Sequence, residues 1–521
     1  MRLLKVVLLG AVLTSGCTTE KLVYRNRPPF NPPPDSVAGF LGYYDAPSKT
    51  TTCGNCHVEH QADWKQTKHA SAWADLIASG HSNASCYGCH TVNGNGNQAN
   101  NPSGYLKTAD TAYHDVQCES CHGPGLAHVT TPDASTHPLA RLAADTTKFG
   151  CGGCHTGTHE PFIQEWRGSL HSQVVAATVG RPECGSCHDG KTTLVAWGVN
   201  THYIERDSTG SLPTTCAVCH DPHGSPNSAQ LRFAINTPDP EQNLCMKCHA
   251  RRSEPAGGSY GQSPHAPQGP MLLGTAGYRP SGFAYDTTLL VSSHGSQANP
   301  ELCAGCHVQR LTVTDKVTNA FVFQSTGHLF LPVPCLDSLG IPSSNNGCPF
   351  PGDPGFTSTT RNFGACANSG CHASTAAAQS AFQVERGRIA QLADEIWIDV
   401  NGNGKVDAFP TDSGYLAKVK LNAPTQFNSD SVISPAEGAL FNVRMVGEGR
   451  DGNADKSFGV HNPFLAEALL RSNVTELENT YSAFLPAPSP AVQAILASPL
   501  AGIRPVPPRV ISAVSTPRAA R

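Results

Sequence analysis

The sequence contains the motif Cys-x-x-Cys-His eight times between Cys53 and His307, and a longer form, Cys-Ala-Asn-Ser-Gly-Cys-His, begins at Cys366. Two thiols at the regular spacing can add to the two vinyl groups on one edge of a haem. The adjacent histidine can turn back beneath the ring and bind the iron. Such a chain must fold around its cofactors. The motifs therefore predict nine covalently attached c-type haems.

Each motif contributes two cysteines that form thioether bonds and one histidine that is the proximal ligand of the iron. The predicted thioether cysteines are Cys53, Cys56, Cys86, Cys89, Cys118, Cys121, Cys151, Cys154, Cys184, Cys187, Cys216, Cys219, Cys245, Cys248, Cys303, Cys306, Cys366 and Cys371. The predicted proximal histidines are His57, His90, His122, His155, His188, His220, His249, His307 and His372.

Zinc sites and simple disulfide motifs also use the spacing Cys-x-x-Cys. Neither of them requires a histidine directly after the second cysteine, yet all eight regular motifs have one. Histidine makes up only 23 of the 521 residues, so chance does not explain eight coincidences. The histidines therefore favour haem over zinc or disulfides.

Three cysteines lie outside the motifs. Cys335 and Cys348 flank a segment that contains proline and glycine, and their separation suits a disulfide in an oxidising compartment. The third, Cys17, follows a pattern that is typical of a secretion signal. Arg2 and Lys5 precede an apolar run, residues 6–13, that is too short to cross a bilayer.

Residues 14–17, Thr-Ser-Gly-Cys, resemble a bacterial lipobox, with threonine where leucine is usual. This resemblance implies that Cys17 becomes the lipidated first residue of the mature protein and anchors it to a membrane. Simple cleavage that leaves a spare thiol is the alternative. The proline-rich segment 27–34 then predicts a stiff, extended tether.

Composition predicts how the rest of the chain folds. With 49 glycines, 41 prolines and 39% hydrophobic residues, we expect a mostly irregular fold with short α-helices, little β structure and a closely packed haem array as its core. The formal charge of −4 gives no support for nucleic-acid binding. From 53 to 245 the motifs recur about every 30 residues, which indicates one repeated haem-binding unit.

These features predict five segments along the chain. They are a signal peptide at 1–16, a proline-rich tether at 17–49, an eight-haem domain at 50–310, a ninth-haem region at 311–475 that includes the predicted disulfide and a calcium loop, and a proline-rich tail at 476–521. The region after 310 is expected to be looser than the eight-haem domain. The tail is expected to be extended, strand-like or disordered.

The sixth ligand of each iron decides between electron transfer and catalysis. Fourteen histidines remain outside the motifs, whereas methionine is almost absent, so bis-histidine ligation is expected. Several remaining histidines stand in contexts that resemble the distal-ligand motifs of multihaem cytochromes related to the nitrite-reductase and tetrahaem families. The distal candidates are His69, His81, His128, His171, His223, His265, His294, His328 and His461.

Among these, His81 is the ninth choice, with His202 and His114 in reserve. Each candidate has the alternative of a surface position or a hydrogen bond to a haem propionate. The remaining histidines, His60, His137 and His159, are left without an assignment.

A second metal signal lies at residues 399–407, where oxygen-bearing side chains alternate around a glycine, as in the first nine positions of a calcium loop. Position twelve is Pro410, so a nearby aspartate has to complete the shell. The candidate calcium ligands are Asp399, Asn401, Asn403, Lys405, Asp407 and Asp412. The alternative is a plain Asn/Gly turn.

Taken together, residues 50 to about 475 resemble the surface multihaem c-type cytochromes of metal-reducing and related bacteria. The resemblance implies a multihaem cytochrome c fold that transfers electrons toward an extracellular or periplasmic redox partner. It also implies an outer-membrane lipoprotein or cell-surface location, otherwise a periplasmic one, and an outer-membrane porin as a partner.

Two other functions use the same motifs. A multihaem oxidoreductase for nitrite or hydroxylamine needs an open coordination position, and the sequence contains no Cys-x-x-Cys-Lys motif of the kind common in such reductases. The spare histidines also outnumber the distal positions. A polymerising filament subunit is the second alternative, and the predicted lipid anchor argues against a free filament.

Overall fold

The computed structural model describes residues 38–138, 140, 149–199, 210–255, 263–286, 290–367, 371–428, 430–446 and 454–500. The predicted signal peptide, Cys17, most of the tether, the reserve ligand His202 and the end of the tail lie outside these residues. No helix in the described part is long and apolar enough to span a membrane.

Helices between residues 38 and 310 are short, and no described helix there exceeds seven residues. Several consist mainly of an attachment motif, since one helical turn is what the motif requires. These helices are α1 Val58–Trp64, α2 Ala72–Ala78, α3 Tyr87–His90, α4 Tyr105–Thr108, α5 Cys118–His122, α6 Leu126–Thr130, α7 Phe162–Gly168, α8 Pro182–His188, α9 Gly190–Ala196, α10 Cys216–Cys219, α11 Gln268–Leu273 and α12 Cys303–His307.

Strands form three separate two-stranded antiparallel ribbons in the described residues. The strands are β1 Tyr43–Asp45 with β2 Thr50–Thr51, β3 Leu311–Thr314 with β4 Phe321–Ser325, and β5 Cys335–Leu336 with β6 Pro342–Ser343. The predicted disulfide joins Cys335 to Cys348. Little β structure and many short helices agree with the expected fold class for this part of the chain.

Longer helices follow the last motif, and they correct the expectation of a looser C-terminal region. The four-residue helix α13 Gly364–Ala367 overlaps the start of that motif, and the longer helices after it are α14 Thr375–Ile396, α15 Tyr415–Asn422, α16 Pro435–Val446, α17 Pro463–Thr480 and α18 Pro490–Ala497. Helix α17 packs on α14 and α16. Their apolar faces enclose a protein core in which Trp397, Leu416 and Leu469 are completely buried.

The predicted boundary at 475 falls inside α17, and the predicted tail includes α18. Both helices begin at a proline that follows a capping side chain, which is the arrangement that starts a helix. Asn462 accepts the N–H of Leu465 at 3.0 Å, and Ser489 accepts the N–H of Val492 at 3.4 Å. One proline of the predicted tail, Pro490, therefore marks the start of a helix.

The helical region is joined to the segment that follows the Cys245 motif. Met271, Ala276 and Leu290 belong to the same buried cluster as the C-terminal helices. The Asn442 side-chain amide donates to the Tyr278 carbonyl at 2.8 Å, and that of Asn462 donates to the Leu290 carbonyl at 2.6 Å. This contact surface brings the residues after α16 close to the attachment motifs.

Candidate haem-binding site

Each attachment motif folds into a single turn that brings its three functional side chains together. The backbone N–H of the motif histidine donates to the carbonyl of the first cysteine, at 3.0 Å for His57 and Cys53 and at 2.9 Å for His220 and Cys216. Residues separated by three or four positions share one face of such a turn. Both cysteines and the histidine can therefore reach one ligand.

The longer motif closes the same bond in spite of its extra residues. The N–H of His372 donates to the carbonyl of Cys366 at 3.2 Å. The two cysteines of this motif, Cys366 and Cys371, both line the cavity that the regular motifs share. Its geometry therefore agrees with a ninth attachment site.

One continuous cavity of 5620 Å³ runs through the described structure. All nine predicted proximal histidines line it, together with most of the predicted thioether cysteines. A site for a drug-sized ligand usually has about 300–1,000 Å³, so this cavity has room for several large flat ligands. It occupies the place where a protein of this size would otherwise have apolar side chains.

Seven proximal histidines each lie opposite one distal candidate across this cavity. The distances between ring centroids fall in a narrow interval. They are 6.2 Å for His122 and His223, 6.1 Å for His155 and His69, 5.9 Å for His188 and His265, 6.4 Å for His220 and His328, 6.2 Å for His249 and His171, 6.1 Å for His307 and His461, and 6.2 Å for His372 and His294.

These distances can be compared with the requirement of a six-coordinate metal. A metal–imidazole bond is about 2 Å long, and the centre of a five-membered ring lies about 1.1 Å from each ring atom when its bonds are about 1.33 Å. Two imidazoles on opposite sides of one metal ion therefore have centroids about 6.2 Å apart. The seven pairs match this value, so the residues present fit haem iron.

Hydrogen bonds fix which nitrogen of several motif histidines can bind a metal. The Nδ1 atom of His90 lies 2.7 Å from the Ala72 carbonyl, and that of His307 lies 2.9 Å from the Phe330 carbonyl. A carbonyl can only accept, so Nδ1 carries the proton and the lone pair is on Nε2. The same arrangement holds for Nδ1 of His122, His220 and His294.

Burial also keeps these rings neutral, which a metal ligand requires. It lowers the pKa of His155 and His171 to about 4, with help from neighbouring histidines. The same cause lowers the pKa of His307 and His328 to about 4. His461 differs, because the Asp455 carboxylate outweighs burial and raises its pKa.

Cysteine contacts show which motifs are neighbours. A hydrogen bond to Cys118 and burial raise the pKa of the Cys53 thiol, and a hydrogen bond to Cys89 has the same effect on Cys154. Corresponding contacts join Cys187 to Cys248 and Cys245 to Cys303. With haem attached, these sulfurs would be thioethers. The spatial order of the motifs is therefore not their order in the sequence.

The attachment motifs also recur with a longer period, which the interval of about 30 residues concealed. The motifs that begin at Cys53, Cys86 and Cys118 recur 98 residues later, at Cys151, Cys184 and Cys216. Each triplet also carries a Trp-x-x-Ser/Thr-x-His element, at 64–69 and at 166–171. The indole N–H donates at 2.9 Å to the carbonyl two residues before the third motif in both triplets.

Distal candidates of one triplet face motifs of the next. His69 lies in the first triplet and faces His155 in the second, and His171 in the second triplet faces His249, which follows it. Conversely, His223 follows a motif of the second triplet and faces His122 in the first. The first and second triplets are thus linked by histidine pairs in both directions.

A buried carboxylate positions one of these candidates. Glu165, in α7, accepts the backbone N–H of His328 at 2.7 Å and that of Thr326 at 3.0 Å. It also accepts hydrogen bonds from the hydroxyls of Ser325 and Thr326. The turn that carries His328 is therefore held directly by the helix that follows the Cys151 motif.

Two distal candidates, His81 and His128, do not form a pair with one motif histidine. His81 is exposed after α2, and the reserve residue His114 stacks on Trp73 at 4.0 Å. His128 lies near His57, whose pKa is lowered by burial and by neighbouring histidines that include His128. Within the described residues, no second histidine ring stands opposite His90 at the distance of the seven pairs.

His60 and His137, which the sequence left unassigned, also line the cavity. The His60 ring lies 6.4 Å from that of His57 and 4.5 Å from that of His223. His137 contacts His128 at 4.8 Å. The spacing Cys-x-x-Cys-His-x-x-His at 53–60 was the available signal for His60. The cavity around the Cys53 and Cys118 motifs therefore holds more histidines than two haems require.

Hydrogen bonds within and beside the predicted calcium loop occupy the carboxylate oxygens of two of its candidate ligands. Asp412 is completely buried and accepts the N–H groups of Val400 and Asp407 and the indole N–H of Trp397. Asp399 accepts the N–H groups of Asn403 and Gly404. No cluster of three or more His, Cys, Asp or Glu side chains suited to a metal ion occurs in the described part. The calcium site stays a prediction.

Two family models match parts of the chain. Residues 52–123 match the model described as cytochrome c554 and c-prime, and residues 212–254 match the doubled CXXCH motif. The protein is a multihaem c-type cytochrome. The matched segments contain the first triplet of motifs and the adjacent pair that begins at Cys216.

Curated relatives of this cytochrome come from two bacteria. Multiheme cytochrome MtrA of Shewanella baltica is 26% identical over 172 residues, which cover 29% of this chain and 47% of the relative. C-type polyheme cytochrome OmcB of Geobacter sulfurreducens is 25% identical over 169 residues, which cover 31% of this chain and 20% of the relative. The chain thus spans half or less of these relatives. No solved structure gives a significant match.

Proposed function

We propose that this cytochrome conducts electrons through nine haems between a redox partner and an extracellular or periplasmic acceptor, and that bis-histidine ligation prevails. The observation that carries the proposal is the set of seven histidine pairs with centroids 5.9–6.4 Å apart. An iron with two imidazole ligands is low-spin and has no free position for a substrate.

The side chains of this chain have three tasks in that function. Cysteine pairs hold each porphyrin by its edge, opposed histidines bind the iron, and the cavity walls exclude water. When bound, the haem iron supplies reversible one-electron chemistry. Contacts such as Cys53 with Cys118 and Cys245 with Cys303 support close packing of neighbouring haems, which electron transfer over several sites requires.

Haem content and reactivity test the function together. We expect an intact mass with nine haems, rapid reduction of all of them by one low-potential donor, and reoxidation by a soluble ferric chelate. We expect no turnover of nitrite or hydroxylamine above the rate of free haem. Turnover far above that rate, together with a stoichiometric high-spin haem, would replace the conduit with an enzyme.

The enzyme alternative has a definite place in the molecule. Within the described residues His90 has no second histidine ring at the pair distance, and His57 has at that distance only His60, whose ring also lies 4.5 Å from that of His223. If a high-spin iron is found, H90A and H57A variants will show which motif holds it. A high-spin iron at any of the seven paired motifs would contradict the assigned pairs.

Export and anchoring form a separate part of the proposal. The N-terminal sequence supports secretion and lipidation of Cys17, an outer-membrane or cell-surface location, and a porin as a partner of the same membrane. A Cys17→Ser variant should move from the membrane to the soluble fraction with its haems intact. Unchanged membrane association would remove the lipid anchor and leave the haem assignments untouched.

A further inference from the structure

Asp455 and His461 form a buried contact between a carboxylate and a distal candidate. The Nδ1 atom of His461 lies 2.6 Å from Oδ1 of Asp455, and the Asp455 side chain is only 2% exposed. The centroid of the same His461 ring lies 6.1 Å from that of His307. A negative charge without direct solvent access therefore touches the imidazole that faces the Cys303 motif.

Other paired histidines have weaker partners at the same atom. In His294 the Nδ1 atom lies 2.6 Å from the Val460 carbonyl, which is uncharged. In His223 it lies 3.9 Å from Asp221, whose charge is already paired with Arg232 at 2.8 Å. Within the described residues, Asp455 is thus the carboxylate in closest contact with a paired histidine.

The loop around Asp455 holds this contact in place. The backbone N–H of Asp455 donates to the Met445 carbonyl near the end of α16 at 3.1 Å. The Ser457 hydroxyl donates to the second carboxylate oxygen and accepts the His461 N–H at 3.1 Å. The His461 carbonyl accepts a hydrogen bond from Ser292 at 3.2 Å. Hydrogen bonds from the backbone and from two serine hydroxyls therefore hold both Asp455 and His461 in place.

We propose that Asp455 is a positioning and tuning residue that lowers the reduction potential of the haem held by the Cys303 motif. A carboxylate that accepts the Nδ1 proton makes Nε2 of the imidazole more basic, and this favours ferric over ferrous iron. A carbonyl acceptor does so less. The inference rests on the proposed function in one respect, since His461 has to be a ligand of that iron.

The test is a spectroelectrochemical titration of the D455N variant, followed by EPR of the oxidised protein. Asparagine has the same size and can still accept from Nδ1, but it carries no charge. We expect the reduction potential of one haem to rise. At a fixed applied potential, the ratio of ferric to ferrous iron in that haem should fall about tenfold, which is the lower end of the effects that outer-shell residues have on metal sites. Its low-spin EPR signal should move while the other haems stay unchanged.

A second variant makes the result decisive. H461A should turn the same haem high-spin, which identifies its signal. A low-spin D455N protein whose potentials equal those of the parent would overturn the inference. Loss of the low-spin signal in D455N would also overturn it and indicate a structural role only. If H461A leaves every haem low-spin, the ligand assignment itself fails.

Discussion

Two regions of this cytochrome differ in what fills their interiors. Between residues 38 and 250 the described protein clusters are small, such as that of Phe40, Val92 and Tyr113, and the cavity with its histidines occupies the centre. From 375 to 500, side chains such as Leu440 and Leu469 form a large apolar core. A region that binds cofactors closely does not need the apolar residues that a helical region of similar length requires.

The largest expected effect follows from producing the chain without haem attachment. Residues 50–250 should then exchange their amide hydrogens as an unfolded chain does, because the short helices lack a core without the cofactors. The helices between 375 and 497 should keep substantial protection. Hydrogen exchange measured by mass spectrometry separates the two regions. Equal protection in both would remove the distinction drawn between them.

A core substitution in the helical region should have the next largest effect. Leu469 is completely buried where α17 meets the other helices, so Leu469→Ala should lower the free energy of unfolding by about 2–5 kcal/mol. The matched control is Leu421→Ala in α15, where the side chain is 54% exposed. We expect that control to stay within about 0.5 kcal/mol of the parent. Chemical denaturation followed by far-UV circular dichroism measures both.

The pH dependence of the free energy of unfolding should test the burial of Glu385, where the helical region borders the cavity. Glu385, in α14, lines the cavity, and burial together with the nearby Glu467 raises its pKa to about 8. The folded state therefore binds the Glu385 proton more tightly than the unfolded state does. The contribution of this proton to the free energy of unfolding is complete below the unfolded pKa of 4.5 and is lost as the pH rises to about 8. A pKa that differs by one between the folded and unfolded states corresponds to about 1.36 kcal/mol. Because Glu385 is only partly buried, solvent screening reduces the total, and the loss of stability should be on the order of 1–3 kcal/mol.

Replacing Glu385 with glutamine provides the control for that effect. E385Q keeps a similar shape and does not titrate, so its stability should change less than that of the parent between pH 5 and 8. Denaturation at several pH values measures the difference. Parallel pH profiles for the two proteins would mean that Glu385 is already ionised in the folded state.

The smallest expected effect concerns the two triplets of the haem-binding region. Trp64→Phe and Trp166→Phe each remove one indole hydrogen bond of 2.9 Å to an equivalent carbonyl. Each should therefore cost about 1 kcal/mol, and the two losses should agree closely because the elements are repeats. Denaturation of the holoprotein checks this. Clearly unequal losses would mean that the two triplets are not structurally equivalent.

The attachment motifs could be read from the sequence because their chemistry is local. One helical turn holds two cysteines and a histidine, so spacing alone identifies them, and even the longer motif at Cys366 closes the same backbone bond. Distal candidates such as His171 and His461 were predicted from their contexts, and each ring lies 6.1–6.2 Å from that of a motif histidine. Which motif each of them faces was not predicted, because the partners lie far apart in the chain and belong to different triplets.

Other features needed more than local patterns. His81 precedes a motif closely but lies on an exposed turn after α2, whereas His60 lies inside the cavity. The C-terminal core was missed because the composition of the whole chain averages a glycine-rich region with an apolar one. Prolines at 463 and 490 start helices there. The 98-residue repeat was visible in the cysteine positions and was concealed by the shorter interval within it.

The central claim, that opposed histidines bind the irons in pairs, is tested most directly by quantitative EPR of the fully oxidised protein. Integration of the low-spin signals should account for at least seven haems per chain, matching the seven pairs. A His69→Ala variant should convert one of them, and only one, to a high-spin form. Fewer than seven low-spin haems in the parent, or no change in H69A, would contradict the account.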